Sequence, residues 1–320
     1  MRNKVKILVC GGTGFIGKNL VRSLIKNKNN QVYATFNKKN KFKLKGLKWK
    51  KADLTNYKDV NYALKGMDIV IQAAATTSGS KDIVNSPEIH VTDNAIMNSY
   101  ILRACKTLNV KHLIFFSCTV MYPSSRKSLN EALNINYNKI NPKYFGVAST
   151  KLYVEKLCEF YSKICETKFT CIRHSNIYGE FDKFDLNKGH FLAANMLKIF
   201  NYKNTPINIW GDGKEKRDLL YIQDLIFFVK KVINKQTKKF KIYNCSYGKS
   251  FKVSEIINKI IFHSKKQIKI SYDTSKPSIK TNILINSNLA KKEINWKPIT
   301  KIDDGIKKTY RWLQKNYEFL

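Results

Sequence analysis

The chain has 320 residues, 43% of them hydrophobic, with a net charge of +36, 14 glycines and 6 prolines. This composition excludes a disordered or collagen-like chain, and no apolar run approaches the roughly 20 residues that span a membrane. Seven scattered cysteines without a Cys-x-x-Cys pair, together with a start that lacks signal-peptide character, favour a cytoplasmic protein in a reducing compartment.

A net positive charge of this size could reflect binding to nucleic acid or to an anionic membrane. However, only seven of the 59 basic residues are arginine, and the lysines are spread along the whole chain. Arginine is the residue best suited to bidentate contacts with phosphates and bases. The pattern therefore indicates lysine as a default surface residue, and we expect neither nucleic acid nor membrane as a partner.

Strands alternate with helices from the start of the chain to about residue 175. The apolar patterns predict, in chain order, strand 4–10, helix 16–25, strand 31–36, a short strand ending at Ala52-Asp53-Leu54, strand 68–75, helix 91–108, strand 112–117, helix 151–164 and strand 169–173. This alternation predicts an α/β fold with a Rossmann-type, doubly wound parallel sheet.

After residue 176 the pattern is mixed, with short strands at 207–210, 218–221 and 241–244 and helices at 190–200, 225–233 and 253–263. We expect a smaller mixed α/β C-terminal lobe that binds substrate over the carboxyl ends of the strands. The expected domains are 1–175 for a dinucleotide and 176–320 for the substrate, with some later segments returning to the first domain.

A glycine-rich turn lies between the first predicted strand and the first predicted helix. It carries the pattern G-x-x-G-x-x-G in the run Gly11, Gly12, Thr13, Gly14, Phe15, Ile16 and Gly17. Glycines permit a tight turn and let the backbone approach a pyrophosphate, which then lies at the helix N-terminus. The sequence therefore predicts a dinucleotide site.

Two later strand ends fit the same site. Asp53, followed by Leu54, ends the third strand and could accept a hydrogen bond from an adenine amino group, or it could cap a loop or helix. The small side chains of Ala73, Ala74 and Ala75, at the end of the fourth strand, leave room for a cofactor.

The choice between NAD and NADP depends on the end of the second strand. NAD requires an acidic residue there for the ribose 2′-hydroxyl, but the sequence continues as Asn37-Lys38-Lys39 without a carboxylate. Asn37 and Lys38 could hold a 2′-phosphate, although the lysines could equally be surface charge. NADP is therefore favoured over NAD, and no metal is expected.

Several further motifs accompany the turn. They are Asn94 on the helix at 91–108, Ser117-Cys118-Thr119-Val120-Met121-Tyr122-Pro123, and Arg173-His174-Ser175-Asn176-Ile177-Tyr178-Gly179. With the turn, they resemble the extended short-chain dehydrogenase/reductase family of sugar-nucleotide epimerases, dehydratases and reductases over nearly the whole chain. More specific stretches resemble its GDP-L-fucose synthase branch: Tyr122-Pro123, Gly189-His190-Phe191, Trp210-Gly211-Asp212-Gly213 through Arg217, and Asp273-Thr274-Ser275-Lys276-Pro277.

The resemblance implies a tyrosine that exchanges a proton with the sugar and a lysine that lowers the pKa of that tyrosine. A lysine at about 4 Å would lower it by roughly three units. Lys151 matches the lysine, but Val147 occupies the position one helical turn earlier, and the nearest upstream tyrosine is Tyr144. Tyr144 is therefore the expected proton carrier, two turns from Lys151, unless it is only a packing aromatic.

The resemblance also implies a Ser or Thr that hydrogen-bonds the sugar oxygen. Cys118 is the positional match, whereas Thr119 has the better donor. No carboxylate follows, which argues against dehydration. His190 matches a histidine used for 3,5-epimerisation, but Val120 stands at the position of its cysteine partner, and His190 could instead be a helix N-cap.

For the substrate, the resemblance implies contacts from Asn176, Trp210 and Arg217, because an aromatic ring can stack on a base and a guanidinium can hold a diphosphate. The expected enzyme is a homodimer that reduces the 4-keto group of a nucleotide-linked sugar, with GDP as the expected nucleotide. The alternatives are a 4-epimerase with tightly bound NAD, and a cofactor-bound interaction protein that has lost catalysis.

Overall fold

The computed structural model describes residues 4–39, 41–77, 85–275 and 281–319. Its main sheet contains seven strands: β1 Val5–Cys10, β2 Asn30–Phe36, β3 Leu47–Lys51, β4 Ile69–Gln72, β5 His112–Cys118, β6 Lys168–His174 and β10 Phe240–Cys245. They pair in the order β10-β6-β5-β4-β1-β2-β3, and every pair is parallel. The strand order reverses beside β1, which places a crevice for ligands at the carboxyl ends of the central strands.

Helices cover both faces of this sheet. Their bounds are α1 Phe15–Leu24, α2 Tyr57–Leu64, α3 Thr92–Thr107, α4 Phe145–Ile164, α5 Phe191–Phe200, α6 Ile222–Lys235, α7 Val253–Ser264, α8 Asn288–Ile294 and α9 Ile302–Asn316. Along β1, Ile7 and Val9 join the core that contains α1 and α6, whereas Leu8 joins the core of α2, α3 and α4. Strands buried on both faces account for the nearly continuous apolar runs in the sequence.

The smaller lobe is built from short strands. They are β7 Asn176–Tyr178, β8 Ile207–Trp210, β9 Lys216–Tyr221, β11 Ser250–Lys252 and β12 Ile270–Asp273. β11, β9 and β7 form one sheet, and β12 pairs with β8 in another. β10 lies in the main sheet beside β6 although it follows β9 in the chain, so the linear division at 175/176 does not separate the strands of the two sheets.

The predicted doubly wound α/β fold is confirmed, and most predicted elements agree with the structure within a few residues. The third strand ends at Lys51 rather than at Leu54, because the Ala52 amide makes the last bond to β2, at the Phe36 carbonyl oxygen, and the chain turns at Leu54 and Thr55. Helix α2 has no counterpart among the predictions, since its eight residues are too few to show a clear helical period. Its N-cap is Asn56, whose side chain accepts from the amides of Lys58 and Asp59. Within the described ranges, no helix is long and apolar enough to cross a membrane.

Candidate active site

The glycine-rich turn is held tightly against the sheet. Gly11 has a φ of +75°, and a Cβ there would lie 2.7 Å from the Ala74 Cα. A Cβ on Gly17 would lie 2.1 Å from the Gly11 carbonyl oxygen. The Gly11 amide also donates to the Thr35 hydroxyl at 2.9 Å, which ties the turn to β2. The backbone therefore bends sharply between β1 and α1 only because these positions lack side chains.

The N-terminus of α1 is open beyond this turn. Its N-cap is Gly14, no side chain among the described residues caps it, and its first turn carries no acidic group. Thr13, Gly14, Phe15 and Ile16 are half-buried. Amides at an uncapped helix N-terminus, together with the helix dipole, favour an anion. This cradle therefore fits the pyrophosphate of a dinucleotide.

Asp53 lies beside the end of β2. Its carboxylate accepts from the Thr55 amide at 3.0 Å and the Thr55 hydroxyl at 2.7 Å. The Thr55 hydrogen bonds, with a smaller contribution from the Asn37 side chain and the Lys38 charge, lower the pKa of Asp53. Asp53 is thus ionised and contacts the two residues expected at a 2′-phosphate, Asn37 and Lys38, both of which are exposed.

The other predicted cofactor positions surround this region. Leu54 is buried in the core under α2. Ala73 and Ala74 are half-buried at the end of β4, and Ala75 is exposed. Small side chains at this strand end leave the space above the glycine turn open, which also fits a dinucleotide.

Lys151 reaches the carboxyl end of the sheet from α4. Its Nζ donates to the Phe116 carbonyl oxygen at 2.8 Å and lies 4.7 Å from the centre of the Phe115 ring. Burial lowers the pKa of Lys151, whereas Cys118 and Glu155 act in the opposite direction. A partly desolvated ammonium beside Cys118 is therefore available at the place where the resemblance requires a lysine. Thr119, the other candidate at this strand end, is buried.

The structure corrects two expectations about Tyr144. It does not lie on the same helix as Lys151, because α4 begins at Phe145 and Tyr144 ends a 3-10 turn, Pro142–Tyr144. Burial raises the pKa of Tyr144, and the cation that opposes this effect is Arg217 rather than Lys151. Cys118 interacts electrostatically with both Tyr144 and Lys151 and so lies near each of them.

His190 begins α5 as its N-cap, but its side chain makes no capping hydrogen bond. Its Nδ1 instead lies 3.3 Å from the Asp182 carboxylate, while Asp182 itself is buried. The Asp182 hydrogen bond raises the pKa of His190. Because half of the His190 side chain remains exposed, this imidazole can both face a ligand and hold a proton near neutral pH.

Replacing Asp182 with asparagine should lower the pKa of His190. A raised pKa contributes stability below the ordinary value of about 6.5, and that contribution is lost as the pH rises through the folded value. The variant should therefore lose stability mainly on the acid side of neutrality. Proton NMR titration of His190 from about pH 5 to pH 9 measures the shift. His112, whose pKa is lowered to about 3 by burial, serves as a reference, and an unchanged His190 titration would contradict the prediction.

Sequence reasoning missed His174, which ends β6 beside these residues. In the sheet register it pairs with Cys118 of β5 and Cys245 of β10. Burial lowers the pKa of His174 to about 4, and the charges of Lys151 and His190 add to this effect. The signal was present in the motif Arg173-His174-Ser175-Asn176, but the resemblance assigns no role to that position.

The substrate-side predictions lie on the second lobe. Asn176 is exposed, and its side-chain amide donates to the Asp218 carbonyl oxygen at 3.0 Å. Arg217 donates to the Thr281 hydroxyl at 3.2 Å and interacts electrostatically with Tyr144. Trp210 is half-buried with the Lys198 Nζ 5.6 Å from its ring centre. In the motif that begins at Asp273, Lys276 and Pro277 lie outside the described residues.

A buried ion pair supports the strand ends from the α4 side. The Arg173 guanidinium donates from Nη2 to Glu155 at 2.6 Å and from Nε at 3.0 Å. The Ser117 hydroxyl donates to the same carboxylate at 2.6 Å. Glu155 and Arg173 are 2% and 4% exposed, so the pair fixes the ends of β5 and β6 against α4.

An open helix N-terminus behind a glycine turn, at the carboxyl end of a doubly wound parallel sheet that a half-buried lysine also reaches, is typical of a dinucleotide-dependent enzyme of the Rossmann type. Residues 7–246 match the model of the NAD dependent epimerase/dehydratase family. The chain belongs to this family, and it is an enzyme that uses a nicotinamide dinucleotide.

Relatives in this family act on nucleotide-linked sugars. The chain is 28% identical over 318 residues to GDP-L-colitose synthase of Yersinia pseudotuberculosis, covering 96% of this chain and 97% of the relative. It is 26% identical over 322 residues to GDP-L-fucose synthase of Sinorhizobium fredii, with 97% and 96% covered.

Solved structures have the same fold. One is UDP-glucuronic acid 4-epimerase from Bacillus cereus in complex with UDP-glucuronic acid and NAD, with a TM-score of 0.85, 22% identity, and 98% of this chain and 100% of that chain covered. Another is UDP-glucose 4-epimerase of Thermotoga maritima with UDP-glucose, with a TM-score of 0.84, 21% identity, and the same coverage.

Proposed function

We propose that the chain acts at C4 of a nucleotide-linked sugar and reduces a 4-keto group. We propose a GDP-linked sugar as the substrate. The observation that carries this proposal is that Lys151 reaches the end of β5, where its Nζ donates to the Phe116 carbonyl oxygen, and that Tyr144 and Lys151 both lie near Cys118 at this strand end. The full-length similarity to two GDP-sugar synthases supports the GDP-linked substrate.

The cofactor is held by the chain's own backbone and small side chains. The amides of Phe15 and Ile16 bind the pyrophosphate, Asp53 accepts from the adenine amino group, and Asn37 with Lys38 binds a 2′-phosphate. These roles favour NADP over NAD, because no carboxylate follows β2 to bind a free 2′-hydroxyl. When bound, the nicotinamide exchanges a hydride with the sugar carbon.

Tyr144 carries the proton that the sugar oxygen gains or loses. Its raised pKa keeps the phenol protonated near neutral pH, as protonation of a new hydroxyl requires. Lys151 provides a positive charge near Cys118, which stabilises negative charge on the reacting oxygen. Of the two candidates for contact with that oxygen, Cys118 is better supported than Thr119, because Cys118 is half-buried near both Lys151 and Tyr144, whereas Thr119 is buried.

The second lobe binds the rest of the substrate. Arg217 holds the diphosphate, Trp210 packs against the base or sugar, and Asn176 contacts a phosphate or sugar oxygen. His190 faces the sugar with a pKa set by Asp182. Val120 stands where the cysteine partner of His190 in 3,5-epimerisation would be expected. Its presence argues against that reaction and leaves 4-keto reduction and 4-epimerisation. A 4-epimerase with tightly bound NAD is therefore the second candidate.

We also propose that the protein is a cytosolic homodimer. The outer sides of α3 and α4 expose apolar side chains, at Ile96 on α3 and at Tyr153, Phe160 and Ile164 on α4. The two helices pack against each other, so these side chains form a surface that a second copy could cover. All seven cysteines are free, which suits a reducing compartment.

The purified protein should bind NADPH more tightly than NADH and release no NAD on acid denaturation. Lys38→Ala should weaken NADPH binding by about tenfold and leave NADH unchanged, because it removes a charge-assisted contact to the 2′-phosphate. Calorimetry with both reduced cofactors measures the difference. Lys45→Ala, an exposed lysine of the same β2–β3 connection, is the matched control.

The same preparation distinguishes the two candidate reactions. Consumption of NADPH with a GDP-linked 4-keto sugar supports reduction, whereas one equivalent of NAD released from denatured protein supports the epimerase. If the loaded protein turns over no nucleotide-linked sugar in either assay, the proposed function is wrong.

A further inference from the structure

We propose that His174 is a further binding residue of this site, whose Nε2 accepts a hydrogen bond from a hydroxyl of the substrate's sugar. This inference rests on the proposed function, because it requires a sugar at the crevice. The proposed function gives His174 no role, since Tyr144 transfers the proton and Arg217 contacts the diphosphate.

The backbone directs His174 into the crevice. It is the last residue of β6 and lies in register with Cys118 of β5, so the two side chains emerge on the same face of the sheet. The imidazole meets the Phe116 ring edge-on, with the centres 6.0 Å apart. Phe116 is also the residue whose carbonyl oxygen accepts from Lys151. His174 therefore lies beside Cys118 at the strand ends, next to the place that Lys151 reaches from α4.

Hydrogen bonding fixes the tautomer of His174. Its Nδ1 lies 2.8 Å from the Ser175 carbonyl oxygen. Since a carbonyl oxygen can only accept, Nδ1 carries the hydrogen and Nε2 carries the lone pair. Within the described ranges Nε2 has no hydrogen-bond partner, and the residue is only half-buried, so a ligand can reach it.

His112 shows what a purely structural histidine looks like in the same sheet. It begins β5, whereas His174 ends β6, and it is 2% exposed. Its Nε2 lies 2.8 Å from the Thr170 hydroxyl, which in turn accepts from Gln236. Both imidazoles are neutral, but Nε2 of His112 has a hydrogen-bond partner, whereas Nε2 of His174 has none among the residues that the structure describes.

The charges around His174 define the ligand group. Lys151 on α4 and His190 at the start of α5 both oppose protonation of the imidazole, and burial lowers its pKa to about 4. A neutral acceptor does not bind phosphate, which offers only acceptors near neutral pH. The remaining donors are the hydroxyls of the sugar and the riboses, the N–H groups of the bases and the carboxamide of the nicotinamide. The neighbours Cys118, Lys151 and His190 all belong to the proposed sugar contacts, so the sugar hydroxyl is the assigned donor.

Binding measurements on two variants test this assignment. His174→Phe removes the acceptor and keeps a ring, whereas His174→Gln returns an amide oxygen near the position of Nε2. The probes are GDP and UDP, and the sugar nucleotides GDP-mannose and UDP-glucose, each titrated into protein loaded with NADP. His174→Phe should weaken the preferred sugar nucleotide by about tenfold and leave the matching diphosphate unchanged, and His174→Gln should recover most of the affinity.

Nitrogen NMR of wild-type protein labelled at histidine provides a measurement that does not depend on folding of a variant. The Nε2 resonance of His174 should move when the sugar nucleotide is added, and it should not move with NADP or diphosphate alone. A shift on adding NADP alone would assign the donor to the nicotinamide and overturn the inference, as would equal losses for diphosphate and sugar nucleotide in His174→Phe.

The failure of this inference differs from the failure of the proposed function. If wild-type protein turns over a sugar nucleotide while His174→Phe binds it as the wild type does, only the role of His174 is wrong. If wild-type protein binds and turns over no sugar nucleotide, the proposed function is wrong and the role of His174 falls with it.

Discussion

Replacing Lys151 with methionine should lower kcat by about 100- to 1,000-fold, the range expected when a charged group in proton transfer is lost. The ammonium is buried beside Cys118 and is held by the Phe116 carbonyl oxygen at 2.8 Å. Methionine keeps the length and removes the charge, so negative charge on the reacting oxygen loses its stabilisation. Losing the hydrogen bond to Phe116 costs only about 1 kcal/mol. Steady-state kinetics on the accepted sugar nucleotide measures the effect.

Lys156→Met provides the matched control for this substitution. Lys156 lies on the same helix, but its side chain is 79% exposed and pairs with Glu159 at the surface. Its replacement should leave kcat within about twofold, because exposed ion pairs contribute little. A Lys151→Met enzyme that keeps more than about a tenth of the wild-type kcat would show that Lys151 acts only in folding or binding.

Replacing Glu155 with glutamine should lower the free energy of unfolding by about 3–5 kcal/mol, the usual cost of breaking a buried ion pair on one side. Glu155 is 2% exposed and accepts hydrogen bonds from Arg173 and Ser117. The variant leaves a guanidinium charge in the protein interior without its counter-ion. Urea denaturation followed by circular dichroism measures the change.

Glu159→Gln, four residues later on α4, is the control, because its carboxylate is 35% exposed and pairs only with surface lysines. It should change the free energy of unfolding by less than about 1 kcal/mol. The double variant Glu155→Leu, Arg173→Met removes both buried charges and should recover part of the loss. If Glu155→Gln is as stable as Glu159→Gln, the buried pair does not hold the strand ends.

The fold could be predicted from the sequence because the patterns that specify its strands and its glycine turn lie within short segments. Strands buried on both faces produce apolar runs, and the glycine turn marks where β1 meets α1, so sheet and dinucleotide site follow from short segments. Elements without such patterns escaped prediction. Helix α2 has only eight residues, and its buried Val60, Ala63 and Leu64 are too few to show a clear helical period. Strand β12 forms by pairing with the distant strand β8.

The candidate site was harder to predict because its geometry depends on contacts between distant segments. The sequence indicates Lys151 and Tyr144, but not that α4 begins only at Phe145 or that Arg217 is the cation acting on Tyr144. The role of Asp182 depends on a loop that folds back toward α5. His174 becomes conspicuous only when the register of β5 and β6 places it beside Cys118.

The position of β10 has a consequence for how the chain can be divided and synthesised. The strand that completes the dinucleotide sheet is made after β7, β8 and β9 of the other lobe. During synthesis, β6 can pair with β10 only after residue 245 has left the ribosome. Until then, one edge of β6 has unpaired backbone amides and carbonyls. A fragment cut at residue 175 would retain that open edge permanently, so the two halves are interdependent in folding.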